Sequence, residues 1–190
     1  MKKNLVGLAA FAALNGGAYL FMAPELIARG VVIADGHPAW VVGATLALAL
    51  LMSVVAHELG HWVMAQVLGV PSQIHFRWWG GFLEPEESDD VRPGGDLAIT
   101  VAGPMMNLAL FGLAWWVIPW GMIASCLALM NAFMVIVSIP PAIGFDGGNA
   151  VFAVVWWLTG NKSHGRAAAA VSSLTTILAV AAGTWWWFFS

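Results

Sequence analysis

Between Ala39 and Val70 the chain runs apolar for longer than one bilayer crossing requires, and Glu58 is the only charged residue in that stretch. About 20 predominantly apolar residues suffice for a transmembrane helix, so a helix of this length would tilt or protrude. The remainder agrees: 61% of the 190 residues are hydrophobic and 9% charged. A water-soluble surface needs charge on about a quarter of its residues. The sequence therefore predicts an all-α polytopic membrane protein embedded in a lipid bilayer. A net charge of −3 and the absence of any Lys/Arg run argue against nucleic acid as a partner. The single cysteine, Cys126, excludes an intrachain disulfide and any cysteine-based zinc cluster.

About five transmembrane helices fit, with one short helix and a small β-hairpin loop. Leu5 to Met22 predicts a first helix, retained because signal cleavage after Ala23 would put Phe21 where a small residue is needed. Lys2 and Lys3 then hold the N-terminus in the cytoplasm. Pro24 to Pro38 is expected outside, and the second helix enters at Ala39 and leaves near Val70. The long polar stretch, Ser72 to Asp96, carries Glu84, Glu86, Glu87, Asp89, Asp90 and Asp96. Its first part, His75 to Leu83, is strand-like, and Gly80-Gly81 offers a turn or a close backbone approach. Further helices are expected from about Leu97 to Ile118 and from Met122 to Ile139, where Pro140-Pro141 stops the fourth. Ala150 to Leu158 is too short to cross and would be re-entrant or interfacial. Ala167 to Phe189 is the last span, with Trp185, Trp186 and Trp187 at the outer interface. A single domain over residues 1–190 is expected, its core about 39–160, with no soluble accessory domain.

Within the second helix stands His57-Glu58-Leu59-Gly60-His61. Residues four apart share a helical face, so His57 and His61 can present two imidazole nitrogens to one zinc ion. Glu58 lies beside them, placed to act on a water activated at the metal without ligating it. The bland alternative is a pair of helix histidines satisfied by polar neighbours. An ionisable residue in a membrane helix costs about 2.5–3.5 kcal/mol on insertion scales, and three within a turn and a half demand a compensating partner.

A catalytic zinc needs a third protein ligand and an open position. Asp146, in Phe145-Asp146-Gly147-Gly148, ends an apolar segment. Alone it would read as a helix N-cap or turn aspartate, but the need for a third ligand favours it. His75 and His164 lie in polar loops, and His37 falls on the outer side. Gly103-Pro104-Met105-Met106-Asn107 also interrupts an apolar helix. Asn107 there either bonds a carbonyl freed by Pro104 or donates to substrate or developing oxyanion charge.

Taken together, these motifs resemble the site-2 protease family of intramembrane zinc metalloproteases. The match runs through His57-Glu58-Leu59-Gly60-His61, Gly80-Gly81-Phe82, Ala102-Gly103-Pro104-Met105-Met106-Asn107 and Phe145-Asp146-Gly147-Gly148, covering about Met52 to Asn161. The resemblance implies one zinc per chain held by His57, His61 and Asp146, with Glu58 as general base. It implies that Asn107 assists substrate or transition-state binding, and that Gly80, Gly81 and Phe82 belong to a membrane-associated hairpin near the substrate. Two positions depart from the family pattern: Phe145 replaces the usual Leu, and Ser138 stands where an Asn often precedes Pro141.

The expected function is hydrolysis of peptide bonds in or near transmembrane segments of a membrane-protein or peptide substrate. The alternative is a non-catalytic metal-binding or metal-transport membrane protein, which would not need Glu58 as a base. Counting from Ala39 at about 1.5 Å per residue places His57 roughly 27 Å from the outer face, in the cytoplasmic half of the bilayer.

Overall fold

The computed structural model describes residues 2–77, 80–85 and 91–189. Trp78, Trp79, Glu86, Glu87, Asp89 and Asp90, which the sequence places in the hairpin and the acidic stretch, lie outside the described residues. In chain order the elements are α1 (Lys2–Ala28), α2 (Ala39–Val67), β1 (Ser72–Arg77), β2 (Gly80–Pro85), α3 (Pro93–Trp116), α4 (Met122–Ser138), α5 (Asp146–Thr159) and α6 (Lys162–Phe189). Among the described residues, α1, α2, α3 and α6 are long and apolar enough to cross a membrane. With 17 residues, α4 reaches about 26 Å, at the short end for a crossing.

Several boundaries move outward from the sequence expectation. Helix α1 continues through Pro24 to Ala28. Proline removes one i→i−4 bond, and the bonds on either side of it carry the helix on until Gly30 takes φ +67. Helix α3 begins at Pro93, where the missing N–H is no loss. Helix α6 begins at Lys162 because Asn161 caps it: the Ser163 N–H donates to Asn161 Oδ1 at 2.9 Å. Helix α2 ends in a Schellman motif, with Val70 N–H on Ala65 O (2.8 Å), Gly69 N–H on Gln66 O (3.0 Å) and Gly69 at φ +72.

The strands pair antiparallel with Arg77 opposite Gly80 and His75 opposite Phe82. Gly80 and Gly81 therefore open β2 instead of forming a turn.

The chain separates into two compact units, one of residues 1–88 and 102–135, the other of residues 89–101 and 136–190. In the first, buried apolar residues recur every four positions along α2 (Val42, Leu46, Leu50, Val54) and α4 (Met122, Cys126, Met130), joined by Phe11 and Ala23 of α1. That spacing lines one helical face. Glycines bring the backbones together: a Cβ at Gly43 would stand 2.8 Å from Leu20 Cα, and one at Gly60 would stand 2.6 Å from Ala102 O. The outward faces stay apolar, with Phe21 89% exposed and Trp116 81%, as a lipid-facing surface requires.

In the second unit α5 packs on α6. A Cβ at Gly165 would meet Phe152 O at 2.6 Å, and Ala153 is fully buried. The Ile143 N–H donates to Ser173 Oγ at 2.7 Å, tying the turn before α5 to α6. A Cβ at Gly147 would stand 2.6 Å from Pro140 O, and one at Gly148 would stand 3.0 Å from Ile143 N. Both glycines of the Asp-Gly-Gly sequence are thus demanded by packing at this turn.

Candidate metal centre

Helix α2 carries His57, Glu58 and His61 with only 5%, 5% and 7% exposure. The i,i+4 spacing brings the imidazoles together, with His57 Nε2 and His61 Nε2 3.1 Å apart and the rings edge to face. Two histidine nitrogens facing each other in an apolar helix need a proton or a cation between them, since lone pairs at that distance repel.

His57 Nδ1 lies 2.6 Å from Asn107 Oδ1. Asn107, on α3, is completely buried, and its Nδ2 donates to Ser53 O at 3.0 Å and to Asn131 Oδ1 at 2.9 Å. Pro104 does sit inside α3, yet Asn107 takes a carbonyl of α2, one turn before His57.

The backbone crowds around the three ionisable side chains. A Cβ at Gly103 would overlap the His61 ring, 2.8 Å from Cδ2 and closer still to Nε2. A Cβ at Gly81 would stand 2.8 Å from Cδ and 2.9 Å from Oε1 of Glu58. The close backbone approach expected of the glycine pair therefore falls at Gly81, against Glu58. Gly80 is glycine for a different reason, its φ of +148.

Phe82 points to the opposite face of the hairpin from Gly81, as strand alternation dictates. Its ring stacks on His75 at 5.3 Å and lies under the Arg77 guanidinium at 5.1 Å. His75 is further engaged with Glu84 at 3.1 Å, which explains it as a hairpin residue. His164 and His37 are exposed on α6 and on the loop before α2.

Asp146 is the first helical residue of α5, and the N-cap position belongs to Phe145, which makes no side-chain cap bond. The cap alternative for this aspartate therefore falls away, although an acid in the first turn still suits the helix dipole. Ser138 closes α4 and is buried.

Two residues of the polar cluster have no part in the sequence reading, Asn131 and Ser53, and Gly103, though inside a quoted motif, is given no role there. Asn131 had a readable signal, a lone carboxamide inside the apolar run of α4, where an unpaired polar group is expensive. Ser53 contributes a backbone carbonyl and Gly103 an absence of side chain, and neither leaves a mark in residue type.

The chain matches the model of peptidase family M50 over residues 45–121, the segment that holds His57, Glu58, His61, the hairpin and Asn107. It is 33% identical over 146 residues to sll0528 of Synechocystis, covering 73% of this chain and 38% of that protein. It is 30% identical over 150 residues to Rip3 of Mycobacterium tuberculosis, covering 67% and 36%. Both names carry the words zinc metalloprotease. The chain thus spans somewhat over a third of the length of these relatives. With several apolar membrane-crossing helices and this ordered set of motifs, it is a multi-pass integral membrane protein that belongs to the site-2 protease family, peptidase family M50.

Proposed function

We propose that this chain is a zinc metalloprotease that hydrolyses peptide bonds in or near transmembrane segments of membrane-protein substrates. The observation that carries this reading is the placement of a buried carboxylate, Glu58, beside two facing histidine nitrogens and directly against the strand backbone at Gly81. Metal storage or transport would use the histidines but has no need of the base.

The donor set fits zinc. Two zinc–nitrogen bonds of about 2.0–2.1 Å at a tetrahedral angle separate their nitrogens by about 3.3 Å, close to the 3.1 Å between His57 Nε2 and His61 Nε2. Two histidines leave a catalytic zinc one protein ligand short, and Asp146, in the last of the ordered polar motifs, is proposed to complete the set at one zinc per chain. When bound, zinc supplies Lewis acidity, easing deprotonation of water and polarising the scissile carbonyl. Glu58 takes the proton from the attacking water and returns it to the leaving amine.

The hairpin suggests how substrate backbone is held. Asn4 Nδ2 donates to Ile74 O at 3.1 Å, and Gly7 packs on the carbonyl of Phe76, so α1 occupies the outer edge of β1. Carbonyls at 74 and 76 that face α1 make Ile74–Leu83 and Phe76–Gly81 the non-hydrogen-bonded pairs of the ladder. Gly81 and Leu83 then direct their own N–H and C=O groups away from β1. An extended substrate segment added at this edge of β2 would run beside Glu58. On this reading Gly81 and Leu83 make the backbone contacts and Gly80 permits the entry into the strand. Leu83→Pro, which removes one outward N–H, should slow cleavage about 3- to 10-fold, the worth of one net hydrogen bond, with zinc content unchanged. Phe82→Pro, which removes an inward N–H and breaks the hairpin itself, should slow it further.

A peptide carbonyl inside a helix is bonded and wrapped, so the target must unwind, and each freed backbone group in hydrocarbon costs several kcal/mol until paired. Substrates with Gly or Pro near the cleavage point should therefore be cut faster than leucine-rich ones. Equal rates across such a series would remove the unwinding step. We place the whole chain in one catalytic domain, with the N-terminus and the water path on the cytoplasmic side. A cysteine reporter at Ser72 reacting only with external reagent would reverse that orientation; Cys126, being buried, gives little background. The function itself is tested by mass spectrometry of membrane peptides from cells carrying wild type or Glu58→Gln. Fragments ending inside transmembrane segments should appear only with wild type, and identical fragment sets would overturn the proposal.

A further inference from the structure

We infer that Asn107 is a positioning residue for His57, fixed in that task by Asn131 and by the backbone at Ser53, and not a donor to substrate. Every donor and acceptor in the chain of contacts follows from two backbone carbonyls, which can only accept. Asn131 Nδ2 lies 2.9 Å from Leu127 O, so the nitrogen end of that amide faces its own helix and its Oδ1 is left to accept. Asn107 Nδ2 meets both this Oδ1, at 2.9 Å, and Ser53 O, at 3.0 Å. An amide nitrogen carries two hydrogens, and these two acceptors use both of them.

Asn107 Oδ1 must then be the atom facing His57 Nδ1 at 2.6 Å, and it can only accept. His57 therefore carries its proton on Nδ1 and keeps the lone pair on Nε2, the nitrogen that faces His61 at 3.1 Å. Hydrogen bonding at the far ring nitrogen is what selects tautomer and ring orientation in metal-binding histidines. Here the task falls to a neutral carboxamide on α3, held by α2 and α4. With no exposure and both amide hydrogens engaged, Asn107 has no donor left to offer an oxyanion or a substrate carbonyl.

The inference rests on the metal reading of His57 and His61, so the experiment reads two quantities separately. The first is zinc affinity by competition with a chelator, in the purified full chain. Asn107→Leu, which fills similar volume without an acceptor, should weaken zinc binding about 10- to 100-fold. Asn107→Asp, which keeps an oxygen for the Nδ1–H but loses both donated hydrogens, should bind zinc more tightly than Asn107→Leu while staying about 10-fold below wild type. A purely structural role predicts the opposite order, because leucine fits an apolar core and a buried carboxylate does not. A substrate-donor role predicts wild-type zinc affinity in both variants with slowed cleavage. Either of those outcomes overturns the positioning role.

The second quantity is the tautomer of His57 in metal-free protein, read by nitrogen-15 NMR of histidine-labelled chain. Wild type should show the Nδ1–H form with a strongly hydrogen-bonded proton, and Asn107→Leu should lose that signature. If wild type bound no zinc while the signature held, the metal reading would fail and the orienting contact would stand. If the signature were absent or survived Asn107→Leu, the contact itself would be refuted. Should Asn107→Leu not accumulate as folded protein, Asn131→Leu releases one of the two bonds holding Asn107. It should lower zinc affinity by a smaller factor, about 3- to 10-fold, and unchanged affinity there would count against the relay.

Discussion

Purified Glu58→Gln protein should keep one zinc per chain while cleavage of a transmembrane substrate falls by about 100- to 10,000-fold, the usual worth of a positioned general base. Glutamine preserves the shape of a side chain that is 95% buried and in contact with Gly81, so packing should survive. It cannot accept the proton of the attacking water. His57→Ala, His61→Ala and Asp146→Ala should instead lose most of the metal, since three protein ligands are the minimum for a catalytic zinc. Elemental analysis of the four variants separates the roles. Full zinc in Asp146→Ala would remove that aspartate from the site, and wild-type turnover in Glu58→Gln would remove the base.

The next largest effects should come from adding one methyl group at either of two glycines, with opposite signatures. At Gly103 the new Cβ would overlap the His61 ring, including Nε2. His61 sits on the long helix α2, which crosses α3 tightly enough that Gly60 has no room for a Cβ either, so neither backbone can back away. Gly103→Ala should therefore turn or displace the imidazole and lower zinc affinity by about 100-fold or more, comparable to losing a well-oriented ligand. At Gly81 the Cβ would stand 2.9 Å from Glu58 Oε1. Gly81→Ala should retain zinc and lose cleavage, because it displaces the carboxylate or lifts β2 away from it. Overpacking of this kind costs about 1–3 kcal/mol, so both proteins should still fold. Measuring zinc content and turnover on the same preparations gives the test. If Gly103→Ala kept full zinc, or Gly81→Ala kept wild-type turnover, the corresponding close approach would have no functional weight.

Much of this molecule is local and was legible for that reason. The apolar runs of α1, α2, α3 and α6 follow from the thickness of a bilayer, and the pairing of His57 with His61 follows from a helical repeat of 3.6 residues. The short helix α5 was readable from its length, and the hairpin from its strand-like residues. Boundaries were less so. Pro24 reads as a stop, yet near a helix end the loss of one bond did not halt α1. Gly80-Gly81 reads as a turn or a close backbone approach; the register puts both glycines inside β2, and the close approach falls at Gly81 alone.

What the tertiary structure alone decided is how the polar residues divide the work. Asn107 could be read from the sequence equally as a donor to substrate or as a repair to a proline kink. Its real neighbours are His57, fifty positions earlier, Ser53, and Asn131, twenty-four later. Hydrogen bonds between helices depend on which faces meet, and a one-residue rotation of α3 would send the amide elsewhere. The same holds for Gly103 and Gly81, whose importance lies in an atom they lack and in the side chain that occupies its place. Residue type and spacing determined that this chain carries two histidines and a carboxylate inside one long apolar helix, because those depend only on period and hydrophobicity. The tautomer of His57, the room for His61 and the strand beside Glu58 were decided by contacts between segments far apart in sequence, which no local pattern encodes.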